Sequence, residues 1–337
     1  MMSTIFLSHF AGFLIFFCIM MFVFFDGMDL GIGILFPFLK NNKNRSVAMH
    51  SVHPFWDVNE TWIVMAAVFL LTFFTSAYGI FISTFYIAVI LLLGLIVLRG
   101  ASFELGHKNE KHVPIWNWIF FASSAGISLV FGVFIGNLVV GLNIDSEMIY
   151  RGTFLELFNP ISITSGITTA LGFALIGGNW IAMKTEGELH TLACNIVKKV
   201  TKLLLLSSIL LTILVFANEN LRSIILSSPW RKAIIAWSIF ANYSILHIIH
   251  QRRHTDMNNL LLSYLFALYG GIILVCITYP YIVPRVLDIY QPKFHPEMNG
   301  FSMMFPLMIM VLLIVLMYFF KNYRIFKGKI ANSDIHY

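Results

Sequence analysis

The sequence predicts an all-α polytopic membrane protein. Three observations carry that prediction. Of 337 residues, 58% are hydrophobic and only 11% charged, a balance no ordinary soluble domain keeps. The apolar residues come in long unbroken runs, near the ~20 residues that cross a bilayer as a helix. Apart from Asp26 and Asp29, the charged residues fall between those runs or at their ends.

Nine apolar runs follow one another, at about Ile5–Leu35, Glu60–Thr75, Gly79–Leu98, Trp116–Gly141, Ile161–Met183, Leu203–Phe216, Ala233–Ile249, Leu260–Val283 and Phe301–Phe320. The first exceeds what a bilayer needs, so it tilts or extends past the surface. The sixth is short. The connections are short and leave no room for a soluble domain, so residues 1–337 form one transmembrane domain. Ser123, Ser124, Ala125, Gly126, Gly177 and Gly178 are small residues inside runs, as close helix contacts require. Of the 22 Lys and Arg residues, 16 fall on one side of the alternating topology and 6 on the other. The positive-inside rule then places the N-terminus outside and the C-terminus in the cytoplasm, an arrangement that needs an odd number of spans. The first run lacks a positive leader, since the first basic residue is Lys40, and it reads as a retained helix.

The first run carries Asp26 and Asp29 within Phe25-Asp26-Gly27-Met28-Asp29-Leu30-Gly31. Residues three apart share a helix face. Each acid costs about 2.5–3.5 kcal/mol at a bilayer centre, whereas each apolar neighbour returns about 0.3–0.6 kcal/mol. The pair therefore faces a protein partner or a wet cavity, and such residues default to function. Pro54-Phe55-Trp56-Asp57-Val58-Asn59-Glu60-Thr61-Trp62 enters the second run on the side where the first ends. Asp57 with Glu60 three residues on is a capping-box arrangement, and Trp56 and Trp62 suit an interfacial belt. The same placement lets Asp26, Asp29, Asp57 and Glu60 form one acidic cluster at a cytoplasmic entrance. Arg99 and Glu104 close the third run, where pairing with each other and snorkelling to headgroups are both open; snorkelling is the simpler reading. Thr185-Glu186-Gly187-Glu188-Leu189-His190 reads as a cytoplasmic loop that by itself specifies no metal and no catalyst.

The net charge of +6 is spread along the loops with no aromatic-interleaved basic patch, which argues against a nucleic-acid partner. Cys18, Cys194 and Cys276 lie far apart, an odd set with neither disulfide nor metal spacing. No two of the 11 histidines lie at mid-membrane on facing runs, where a haem pair would sit. The 16 methionines read as packing. The chain itself is expected to hold no haem and no metal.

Asp26-Gly27-Met28-Asp29-Leu30-Gly31-Ile32-Gly33, Trp56-Asp57 with Asn59-Glu60-Thr61-Trp62, and Arg99-Gly100 with Phe103-Glu104 together resemble subunit II of the cytochrome bd-type quinol oxidases. Weaker echoes are Gly136-Asn137-Leu138, Asn159-Pro160, Gly187-Glu188-Leu189-His190 and Tyr279-Pro280-Tyr281-Ile282-Val283-Pro284. The likeness spans essentially the whole chain, and the short loops are similar to the compact branch that includes oxidases called cyanide-insensitive. It implies nine membrane helices in two four-helix bundles with a peripheral helix. It implies a heterodimer in the bacterial inner membrane with a subunit I that carries haem b, haem d and the quinol site; some members add a small single-span subunit, and some hold a structural quinone. Subunit II supports assembly and contributes acids to proton uptake from the cytoplasm. By position, Asp57 marks the proton entrance, with Asp29, Asp26 and Glu60 beside it, while Trp56, Asn59, Trp62, Arg99, Glu104, Glu188 and His190 are structural or interface positions. Glu60 in place of a neutral amide, and His53-Pro54 before the second motif, depart from the family pattern. A stand-alone proton-coupled transporter also fits intramembrane acids and glycine breaks, but no inverted repeat and no deep acid in the later runs support it. A purely structural scaffold is the third reading.

Overall fold

The computed structural model of the protein describes residues 2–106, 113–251, 255–290, 298–325 and 328. Lys108, Lys111, Arg252, Arg253, Lys293, Lys327 and Lys329 of the charge tally, and His107, His112, His254, His295 and His336, lie outside the described residues.

The chain is helical almost throughout. In order the helices are α1 (Met2–Leu35), α2 (Asn42–His50), α3 (Trp56–Phe73), α4 (Thr75–Thr84), α5 (Tyr86–Leu105), α6 (Val113–Val140), α7 (Pro160–Lys184), α8 (Gly187–Ala217), α9 (Glu219–Leu226), α10 (Pro229–Gln251), α11 (Asp256–Thr278) and α12 (Met298–Ile325). Between α11 and α12, β1 (Tyr281–Val283) and β2 (Leu287–Asp288) pair antiparallel. Polar residues at the ends start several helices by accepting a backbone N–H. Asn159 accepts from Ser162 ahead of Pro160 at the first position of α7, and Asn218 accepts from Leu221 to begin α9.

Eight helices among the described residues are long and apolar enough to cross a membrane: α1, α3, α5, α6, α7, α8, α10 and α11. The ninth expected span lies in α12, whose apolar stretch is the shorter Phe305–Tyr318. Three other expectations change. The run from Gly79 to Leu98 is not one helix; it breaks at Phe85, so α4 carries its start and α5 the rest. Phe74 and Phe85, at the two ends of α4, are both buried, and Phe85 packs edge-on against Phe134 at 4.9 Å. Aromatic and Thr/Ser-rich sequence holds a helix weakly there, and packing decides the break. The sixth span is not short, because α8 runs 31 residues from Gly187. What reads as a basic loop is its first turns, with Leu189, Ala193, Val197, Val200 and Leu204 buried at helical spacing. Lys198, Lys199 and His190 therefore ride on helix rather than loop.

Helix α1 runs through the middle of the packing, against α3, α6, α7 and α11. It crosses α7 closely where Gly31 meets Gly177. A Cβ on Gly31 would overlap the Phe173 carbonyl, and one on Gly177 would overlap the α1 backbone at Gly31 and Ile32. Gly33 likewise lies directly against Ser124 of α6. The small residues thus bring α1 against α7 backbone to backbone and against the Ser124 side chain of α6, the close contacts expected at Ser124 and Gly177. Two of the weaker motifs meet in the same way: the Asn159 side chain donates to Asn137 at 3.2 Å, and Asn137 donates to the Leu157 carbonyl at 2.8 Å.

Among α1, α6, α7, α8, α10 and α11 lies an apolar cavity of about 290 Å³, lined in part by Phe16, Met20, Phe173, Tyr243, Phe266 and Gly271. Trp180 of α7 is buried and donates its indole N–H to Ser51, just past the end of α2, at 3.2 Å.

Gly31→Ala should therefore cost about 1–3 kcal/mol or more, because the overlap is with backbone that cannot rotate away. Gly79→Ala, where a Cβ meets nothing within 4 Å, should be neutral or slightly stabilising. Thermal aggregation midpoints in mild detergent distinguish the two, and equal midpoints would refute the close crossing.

Candidate functional site: a buried ion cluster on three helices

Asp26 and Asp29 both lie on the inward face of α1, and both are fully buried. Neither is left to the lipid. Arg99 of α5, also fully buried, grips Asp26 with two parallel bonds, Nη2 to Oδ1 at 2.6 Å and Nη1 to Oδ2 at 3.0 Å. The same Nη2 donates to Glu60 Oε1 of α3 at 2.6 Å. One guanidinium thus bridges two carboxylates from two other helices. Its planar fork suits this geometry, where an ammonium would meet one oxygen at a time.

Asp29, one turn further along α1, is held differently. Asn59 of α3 donates to its Oδ2 at 3.0 Å and to the Phe25 carbonyl at 3.3 Å. Asp29 Oδ1 and Asn59 Oδ1 have no hydrogen-bond partner among the described residues, and neither does Arg99 Nε. Buried polar atoms seldom stay unpaired, so each is a place where water or a partner group belongs.

Aromatic packing closes the site. Trp56 stacks on Phe103 at 5.5 Å and lies against Gly100, where a Cβ would sit 3.1 Å from the indole. Trp62 is fully buried and meets Phe17 edge-on at 6.0 Å. Gly100 follows Arg99 because a larger residue would push Trp56 away.

Five of the expected residues therefore meet: Asp26, Asp29, Asn59, Glu60 and Arg99. Three expectations are corrected. Arg99 is no snorkelling flank, because α5 extends a further turn and a half and carries it inward to the acids. The capping box does not form. Helix α3 begins at Trp56, Glu60 turns to Arg99, and Asp57 accepts from its own neighbour Val58 N–H at 2.8 Å. Of the four acids, Asp26, Asp29 and Glu60 are drawn inward, while Asp57 stands exposed in the first turn of α3 at the edge of the group, near enough to Glu60 for their charges to interact. Glu104 does not pair with Arg99; it is exposed and lies 3.7 Å from His53. Glu188 is exposed in the first turn of α8, and His190 lies 3.0 Å from Asp256 at the start of α11. Arg99 as the counter-ion of Asp26 is what the sequence reading missed. Its signal was present, an arginine inside an apolar helix of a chain that buries an acid.

The chain matches the family model described as cytochrome bd terminal oxidase subunit II over residues 7–326. It is 34% identical over 172 residues to cytochrome bd-I ubiquinol oxidase subunit 2 of Escherichia coli (strain K12), covering 49% of this chain and 45% of that one. It is 31% identical over 182 residues to cytochrome bd ubiquinol oxidase subunit 2 of Bacillus subtilis (strain 168), covering 53% and 54%. The matched part thus spans about half the length of these relatives. The fold is similar to a chain of the bd oxidase structure from Geobacillus thermodenitrificans, with a TM-score of 0.72 at 16% identity over 95% of this chain and 98% of that one. A multi-pass helical fold, a buried ion cluster built from the three strongest sequence motifs and a family match over nearly the full length converge, and the chain belongs to the cytochrome bd terminal oxidase subunit II family.

Proposed function

We propose that this chain works as the haem-free subunit II of a bd-type terminal quinol oxidase, which couples quinol oxidation to the reduction of oxygen to water. In this reading the partner subunit I carries haem b, haem d and the quinol site, with a small single-span subunit as an optional third member. The complex lies in the bacterial cytoplasmic membrane, N-terminus outside and C-terminus in the cytoplasm, with the helices in two four-helix bundles and a peripheral helix. Family membership disfavours the stand-alone transporter.

The role of this chain is to help supply protons. Oxygen reduction consumes protons, and carboxylates in a hydrogen-bonded chain deliver them. The observation that carries this role is the unpaired oxygen of the buried Asp29. Asp57 stands exposed on the first turn of α3, Glu60 lies one turn deeper and Asn59 touches Asp29. A proton enters at Asp57, passes Glu60 and reaches Asp29 through water. Arg99 and Asp26, bonded to each other, hold the path in place. The apolar cavity between α1 and α11 suits a structural quinone or a lipid chain.

Asp29→Asn and Asp57→Asn should each slow quinol oxidase turnover about tenfold or more while haem content stays normal. Normal turnover in both would remove these acids from the path, and loss of haem with loss of the complex would make them scaffold. Arg99→Gln should behave as the scaffold case. It strands Asp26 and Glu60 without their cation, at a cost of about 3–5 kcal/mol, and the assembled complex should be lost. Arg99→Lys should lie between wild type and Arg99→Gln, since it keeps the charge without the fork. Intact complex with Arg99→Gln would refute the structural role.

A further inference from the structure

The first turns of α8 and α11 meet at one end of the bundle. His190 and Cys194 lie one turn apart on α8, so both point from the same face. Asp256 is the first residue of α11, placed by Thr255, whose hydroxyl accepts the Asn258 N–H at 3.3 Å. His190 Nε2 lies 3.0 Å from Asp256 Oδ2 and 3.7 Å from Cys194 Sγ. The three donor atoms all lie within 4.8 Å of one another.

These separations are near those of a tetrahedral zinc site. With bonds of about 2.0–2.3 Å, the edges of such a tetrahedron measure about 3.4–3.6 Å. The His190–Asp256 and His190–Cys194 distances bracket that length, and Cys194 and Asp256 lie within 4.8 Å of each other, so side-chain rotation brings the three donors to it. Imidazole, thiolate and carboxylate form a donor set that Zn²⁺ prefers over harder cations. All three residues are partly exposed, which leaves a path for the ion and a position for water.

We propose that His190, Cys194 and Asp256 form a Zn²⁺ site that clamps the start of α8 to the start of α11, with water as the fourth ligand. The site stands whether or not the chain acts in an oxidase. It departs from the expectation of no metal because Asp256 lies 66 residues from His190 and only the fold joins them.

The test uses the full chain purified with its native partners in mild detergent. The complex is stripped with chelator, titrated with Zn²⁺ alone against a competing chelator, and examined by zinc X-ray absorption. The expected result is one zinc per chain with a sulfur neighbour at about 2.3 Å and nitrogen or oxygen neighbours at about 2.0–2.2 Å. Cys194→Ser should remove the sulfur neighbour. His190→Gln and Asp256→Asn should each weaken binding by at least about tenfold, since even groups outside the ligand shell contribute that much. A single symmetric size-exclusion peak and an unchanged thermal aggregation midpoint check that each variant is folded. A wild-type shell with no sulfur, no zinc retained, or binding unchanged in the variants would overturn the site. The wild-type spectrum decides the question even if a variant fails to fold.

Discussion

Everything near the functional end of the fold depends on Arg99 gripping Asp26 and Glu60. Taking a guanidinium and two carboxylates out of water costs several kcal/mol for each ion. That cost is offset only when the charges meet in good geometry. Arg99 meets Asp26 with two bonds and Glu60 with a third. The bonds tie α1, α3 and α5 together at one depth. They also leave a net negative group of carboxylates facing one cation, with Asp29 held by a neutral amide instead. Asp29 is thus the acid in the group without a direct cationic partner among the described residues.

The close packing of α1 works with that cluster. Gly31 and Gly33 allow α1 to touch α7 and α6 within two turns of Asp26 and Asp29. A helix carrying two acids in a membrane gains little from apolar burial alone, so contact of backbone on backbone and the ion cluster supply what hydrophobicity does not. The aromatic pairs Trp56–Phe103 and Trp62–Phe17 then pack α3 against α5 and α1. Asp57 stays outside this packing, exposed on the first turn of α3.

The opposite case is the start of α8 and α11. There the partners are far apart in sequence, and each residue has an ordinary reading of its own. His190 and Cys194 pass as a helix surface, and Asp256 as an acid in a first turn, which the helix dipole favours. Their shared position emerges from packing, not from spacing.

Class, approximate spans and the motif acids were legible from residues 1–337 because bilayer crossing and buried charge leave strong local signals. Apolar runs of membrane length dictate helices, and Asp26 and Asp29 inside one dictate an inward face. The helical start of α8 was legible in principle, since Leu189, Ala193, Val197 and Val200 recur at helical spacing, but the surrounding lysines masked it. What sequence alone could not decide is which charges meet. Arg99 lies 73 residues from Asp26 and 39 from Glu60, and the break at Phe85 sets how α5 reaches them. Hydropathy reports transfer from water, residue by residue; the pairing energy of a buried ion depends on distance and dielectric in three dimensions. The sequence by itself therefore determined a membrane protein with acids that must be hidden, and the tertiary structure decided what hides them.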